Sequence, residues 1–146
     1  PRYQLLGVYN LPLLRLYTYA YQAAGTRFSV VHSLDGYDEI SLTAPFKAAS
    51  CESETVYEPS DLGFSQIAES ELYGGDTPQQ AAAIFDSVLN GTASDARKNC
   101  VTANAAFAIH TVCPQKSIAE CVNEARVSLE SGRALETFEK FLSLNS

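Results

Sequence analysis

Three carboxylates, Asp35, Asp38 and Glu39, fall within eight residues of the apolar run Phe28, Val30 and Val31. Acids gathered where a core strand ends can do one of two things. In a bend, which Gly36 permits, Asp38 and Glu39 can approach one small hard cation or two adjacent ones. Mg²⁺ prefers such oxygen ligands while keeping several waters. On a regular strand the same neighbours would point to opposite faces. Packed together without a cation they would repel, and one would be forced to take up a proton. The other outcome is a solvated loop in which Asp35-Gly36 only makes a turn. The residue types alone leave both open. His32 reads as a polar residue at a strand end, satisfied by backbone. The chain shows no nucleophile–base pair and no Cys–His arrangement. Gly74-Gly75-Asp76 is too short for a dinucleotide-type phosphate loop.

The elements that must position these acids follow from periodicity. Residues 3–9 (YQLLGVY) read as a strand buried on both faces, bounded by Asn10 and Pro12. Residues 12–25 have helical spacing at Leu13, Leu16, Tyr17 and Ala20, with Pro12 in the first turn and Gly25 at the end. Residues 27–33 (RFSVVHS) form the next strand. Strand, helix, strand over some thirty residues implies a parallel βαβ unit with a right-handed crossover. The acidic stretch then lies beyond the carboxyl end of the second strand, where open α/β sheets bind ligands. Residues 39–51 and 53–59 alternate polar and apolar side chains and read as antiparallel strands joined near Glu52–Glu54.

A loop-rich passage spans 59–76, and the remainder is helical. Thr77 and Pro78 start a helix that stops at Asn90-Gly91. A second helix precedes Pro114. A third starts at Ser117, with Glu120 placed for a capping box, and stops at Gly132. A fourth closes the chain. The fold class is α/β, a partial parallel or mixed sheet flanked by helices.

Seventeen acids against ten Lys and Arg leave a net charge of −7 over 146 residues. No basic stripe is present to displace counterions from phosphates, which argues against nucleic acid and anionic membrane as partners. No apolar run approaches the ~18–20 residues of a membrane span. Apolar content of 46% with 18% charge is that of a folded cytosolic protein. Cys51, Cys100, Cys113 and Cys121 lack the spacing of a disulfide framework or a structural zinc site. Cys100 and Cys113 lie among helix-forming apolar residues and read as small buried hydrophobes.

The chain opens on Pro1, has no methionine, and runs at once into a core strand, as a piece of a longer protein would. The segments QLLGVYNLPLL, VVHSLDGYDEISLT, PSDLGF, ELYGGD, NAAFAI and SLESGRAL occur in the order and approximate spacing of anthranilate phosphoribosyltransferases. The whole chain resembles the C-terminal part of that family. The resemblance implies residues 1–146 as the C-terminal portion of a nucleoside phosphorylase-like α/β domain. The helical domain and the glycine-rich phosphate loop would then lie upstream.

It implies transfer of a phosphoribosyl group from phosphoribosyl pyrophosphate to anthranilate, in tryptophan biosynthesis. It implies Mg²⁺ as cofactor, Asp38 and Glu39 as its ligands, and Asp35 and Gly36 as shapers of the loop. It also implies a homodimer for the full-length protein, built through the helical domain, and no activity for this piece alone. Ser33 stands where the family usually has Gly, Ala44-Pro45-Phe46 where Gly-Pro-Thr is common, and Gln80 where Asn is frequent. Two rival readings are a non-catalytic paralogue that binds a phosphate ligand or nucleic acid, and a free-standing module whose acids bind Ca²⁺ or nothing.

Overall fold

The computed structural model describes residues 1–144. Strand β1 (Tyr3–Gly7), helix α1 (Leu11–Ala23) and strand β2 (Arg27–Ser33) form the expected unit. β1 and β2 are parallel, with Tyr3 opposite Arg27 and Gly7 opposite Val31. The strand stops at Gly7, short of Tyr9, because Asn10 already caps the helix: its side-chain oxygen accepts from the Leu13 N–H at 2.9 Å. Every β1 residue is half-buried instead of buried on both faces. Among the described residues β1 pairs only with β2, so one of its edges carries no neighbour.

Strands β3 (Phe46–Ser50) and β4 (Glu54–Tyr57) continue the sheet antiparallel, giving the order β1-β2-β3-β4. The expected strand over residues 39–45 is instead a loop. Ile40 and Leu42 alternate with polar neighbours as a strand would, yet both are fully buried in one core. The chain manages this by bending at Leu42, whose φ of 61° lies in the left-handed region. A buried γ-branched residue there is uncommon and costs of order 1–3 kcal/mol, offset by its burial.

Two short 3₁₀ turns, Pro59–Leu62 and Glu69–Leu72, lead to helices α2 (Pro78–Leu89), α3 (Asp95–Val112), α4 (Ile118–Glu130) and α5 (Arg133–Ser143). Thr77 and Ser117 cap α2 and α4 as their sequences predict, and Ser117 with Glu120 closes a capping box. The strands alternate cleanly between two cores. Phe28, Val30 and Ala49 face α1, together with Val8 and Leu14. Val31, Phe46 and Ala48 face α3 and α4, together with Ala103, Ala106, Phe107, Cys121 and Val122. Phe46 and Tyr57 stack, and the edge of Phe107 meets both rings.

All four cysteines are free thiols. Cys100 is buried, but Cys113 caps the end of α3 half-exposed instead of packing in the core. Among the described residues no helix is long and apolar enough to cross a membrane.

Candidate functional site at the carboxyl end of the parallel strands

Residues 34–45 connect β2 to its antiparallel neighbour β3 and fold back over the carboxyl ends of β1 and β2. Gly36 turns the chain at φ 105°, and its N–H donates to the Ser33 carbonyl at 3.0 Å. Leu34 N–H donates to Pro45 O at 2.9 Å, closing the base of the loop.

From below, β1 meets the loop without clearance. A Cβ placed on Gly7 would lie 1.4 Å from the Asp38 carbonyl oxygen and 2.6 Å from its carbon. Only glycine admits that approach.

Hydroxyl groups hold the loop from within. Ser33 Oγ donates to Glu39 O at 2.6 Å and accepts from Ser41 N–H at 3.2 Å. Ser41 Oγ donates to Ser33 Oγ at 3.1 Å and lies 2.6 Å from Thr43 Oγ1. Thr43 Oγ1 in turn donates to the Asp35 carboxylate. The Ser33 hydroxyl thus ties the end of β2 to the Glu39–Ser41 part of the loop. His32 faces the other side of the sheet, buried, with Nδ1 donating to Val8 O at 2.9 Å.

From the side, α3 comes close because Ala96, Ala103 and Ala106 are its buried contacts. That proximity brings Asn104 and Cys100 to the backbone of Ile40. The Ile40 N–H donates to Asn104 Oδ1 at 3.0 Å, and Asn104 Nδ2 donates back to Ile40 O at 2.8 Å. Cys100 Sγ also donates to Ile40 O, at 3.1 Å. Burial and the nearby Glu39 charge push the Cys100 thiol up to about 12, so it stays a protonated donor at neutral pH.

The three acids therefore end in different situations. Asp35 is engaged by Thr43. Asp38 and Glu39 are exposed, and among the described residues the ion pairs are Lys47–Glu54, Lys98–Asp95 and Lys116–Glu124, none of which includes them. Glu39 also lines an apolar groove with Leu72, Ile84, Phe85, Val88 and Val101. Partial burial there, and then the Asp38 charge, raise its carboxyl above the ordinary 4.5.

Among the described residues no three His, Cys, Asp or Glu side chains gather closely enough to hold a metal ion. What remains is a pair of adjacent exposed acids, Asp38 and Glu39, outside those ion pairs.

Residues 1–135 match the model of the glycosyl transferase family a/b domain. The chain belongs to that family. It is 65% identical over 145 residues to the anthranilate phosphoribosyltransferase of Bacteroides fragilis strain YCH46, covering 99% of this chain and 44% of that protein. It is 61% identical to the Bacteroides thetaiotaomicron protein of the same name, again over 44% of its length.

The anthranilate phosphoribosyltransferase of Thermus thermophilus superposes with a TM-score of 0.86 at 25% identity, over 94% of this chain and 41% of that one. The Saccharomyces cerevisiae enzyme, solved in complex with PRPP and Mg, shares the fold with a TM-score of 0.80 at 24% identity, over 95% of this chain and 40% of its own. The chain thus spans under half the length of the relatives it matches.

Sequence reasoning singled out Asp35, Gly36, Asp38 and Glu39, and the structure brings them into one short loop. It missed Gly7 and Asn104. A glycine inside a strand pattern is a known mark of close backbone approach. An Asn amid small apolar residues of a helix is a known mark of a side chain bonded elsewhere.

Proposed function

We propose that this chain is the C-terminal portion of the α/β domain of an anthranilate phosphoribosyltransferase. The protein that contains it would transfer the phosphoribosyl group of phosphoribosyl pyrophosphate to anthranilate, in the cytoplasm and in tryptophan biosynthesis. The observation that carries this reading is 65% identity along nearly the whole chain to a protein of that name. The helical domain and glycine-rich phosphate loop would lie in the remaining length, and with them the homodimer contact. On this reading the 146 residues alone do not turn over substrate.

The chemistry assigned to this chain is local. Asp38 and Glu39 are adjacent and exposed, and among the described residues neither belongs to an ion pair, a donor set that fits Mg²⁺. When bound, Mg²⁺ would neutralise charge on the pyrophosphate group. Asp38 and Glu39 supply the anionic oxygens, Asp35 with Thr43 shapes the loop, and Gly7 lets that loop sit against the strand ends. Holding reactants in register lowers the barrier because positional entropy is lost before the reaction.

Anthranilate is fluorescent, so the test follows its loss with phosphoribosyl pyrophosphate while Mg²⁺ is titrated, using the full-length protein. Mg²⁺-dependent loss is expected in wild type and not in the Asp38→Asn, Glu39→Gln double variant. A folded wild type that consumes no anthranilate at any Mg²⁺ concentration would favour a non-catalytic paralogue.

A further inference from the structure

We propose that Asn104 is a positioning residue for the acidic pair, acting through the backbone of Ile40. The inference rests on the reading of Asp38 and Glu39 as the metal-holding residues and adds a third participant, on a different element. The Asn104 amide meets Ile40 at both its N–H, 3.0 Å from Oδ1, and its carbonyl, 2.8 Å from Nδ2. A two-point contact with one peptide residue fixes rotation as well as position. The residue so fixed directly follows Glu39, and its own side chain is fully buried in the core against α3. Asn104 is itself anchored, because Nδ2 also donates to Cys100 O at 2.9 Å, one turn back on α3. Ser33 Oγ holds the Glu39 carbonyl from the opposite side at 2.6 Å. The peptide between Glu39 and Ile40 is therefore held on both flanks, while among the described residues no hydrogen bond or ion pair engages the Asp38 and Glu39 carboxylates.

Without Asn104, the Ile40 N–H loses its side-chain acceptor, and the loop can rotate about the Glu39–Ile40 segment. Partners that orient ligating carboxylates typically contribute 10–100-fold in metal affinity. A purely structural hydrogen bond on the same helix contributes none. Thr111 supplies the control: seven residues along α3, its hydroxyl donates to Ser29 Oγ at 2.7 Å, buried and remote from Ile40.

The experiment is a titration of the full-length protein with Mn²⁺ alone, reading free Mn²⁺ by electron paramagnetic resonance, beside thermal melts. Asn104→Ala is expected to weaken Mn²⁺ binding at least ~10-fold, and Thr111→Val to lower Tm while leaving binding unchanged. If Asn104→Ala does not fold, Asn104→Ser, which adds no bulk, is read in the same titration. Wild-type affinity in a folded Asn104 variant overturns the positioning role and leaves the metal reading standing. Equal weakening by Thr111→Val also overturns it, since general loosening would then suffice. If wild type shows no Mn²⁺ site sensitive to Asp38→Asn, the metal reading itself fails and this inference fails with it.

Discussion

Two acidic loops lie near one another on this protein, and they use their charge in opposite ways. In the passage 69–76, each carboxylate is engaged by the fold. Glu71 accepts from the Ala68 N–H at 2.9 Å, Asp76 accepts from the Tyr73 hydroxyl, and Glu69 accepts from the Tyr37 hydroxyl at 3.1 Å. In the passage 35–39 the one carboxylate engaged among the described residues is Asp35, by Thr43. There the fold grips the backbone around Asp38 and Glu39, and among the described residues no hydrogen bond or ion pair reaches their carboxylates. The number of acids does not separate the two loops, since each carries three. What separates them is whether donors converge on the carboxylates or on the peptides that carry them. A loop of the first kind is a structural turn; one of the second kind leaves its carboxylates open to a cation, as the proposed metal reading requires.

The comparison breaks first at the presenting loop. Asp38→Asn with Glu39→Gln should cost at least ~100-fold in turnover of the full-length protein, the scale of removing a key electrostatic group. The same double variant should melt no lower than wild type, because among the described residues neither carboxylate accepts a hydrogen bond. A melt lowered by several degrees would mean that these acids are structural after all.

Gly7→Ala should come next and should move both readouts. Its Cβ would overlap the Asp38 carbonyl, a backbone atom that cannot rotate away as a side-chain tip could. Overpacking of this kind costs ~1–3 kcal/mol. Relief by lifting the loop would displace Asp38 and weaken Mn²⁺ binding together with Tm. Unchanged binding with a lowered Tm would show that the strand yields rather than the loop.

A smaller effect is expected in the engaged loop. Glu71→Ala removes the acceptor of the Ala68 N–H at the start of a 3₁₀ turn and should lower Tm by ~2–4 °C, the shift typical of losing one such contact in a domain of this size. Mn²⁺ affinity and turnover should stay as in wild type. If Glu71→Ala weakens Mn²⁺ as much as Asp38→Asn does, the two loops form one electrostatic site and the distinction between them fails.

The two kinds of loop were not equally legible in the chain. The carboxylates, Gly36 and the strand before them announced themselves by type and spacing. The helices did so through their caps: Thr77, Ser117 with Glu120, and the glycines at the ends. What grips the loop was hidden, for physical reasons. Gly7 sits inside an apolar run where local pattern favours a continuing strand; its requirement comes from Asp38, far along the chain. Asn104 and Ile40 are sixty-four residues apart, and only the packing of α3 against the sheet brings them together. The alternation at Ile40 and Leu42 was misleading because two buried side chains on one face can arise from a bend as well as from a period of two. The left-handed backbone at Leu42 that makes the bend carries no signature, since leucine rarely adopts it.

The smallest effect expected also reads the presenting loop without any substrate. Partial burial and the Asp38 charge raise the Glu39 carboxyl above the unfolded value of 4.5. The folded protein thus binds that proton more tightly than the unfolded chain does. The contribution of Glu39 to stability is fullest below pH 4.5 and is lost as pH rises through the folded value. Above that window the ionised pair opposes folding, so Glu39→Gln should flatten this part of the stability–pH curve, measured by denaturant melts without divalent cations. Added Mg²⁺ should favour the ionised form and remove the difference, because a cation between the two acids reverses the sign of their surroundings. Glu71→Gln should leave that part of the curve as it is in wild type. A Glu39→Gln curve parallel to wild type through the same window would mean that the presented carboxylate is as well solvated as any surface acid, and that the groove beside it contributes nothing to holding its charge.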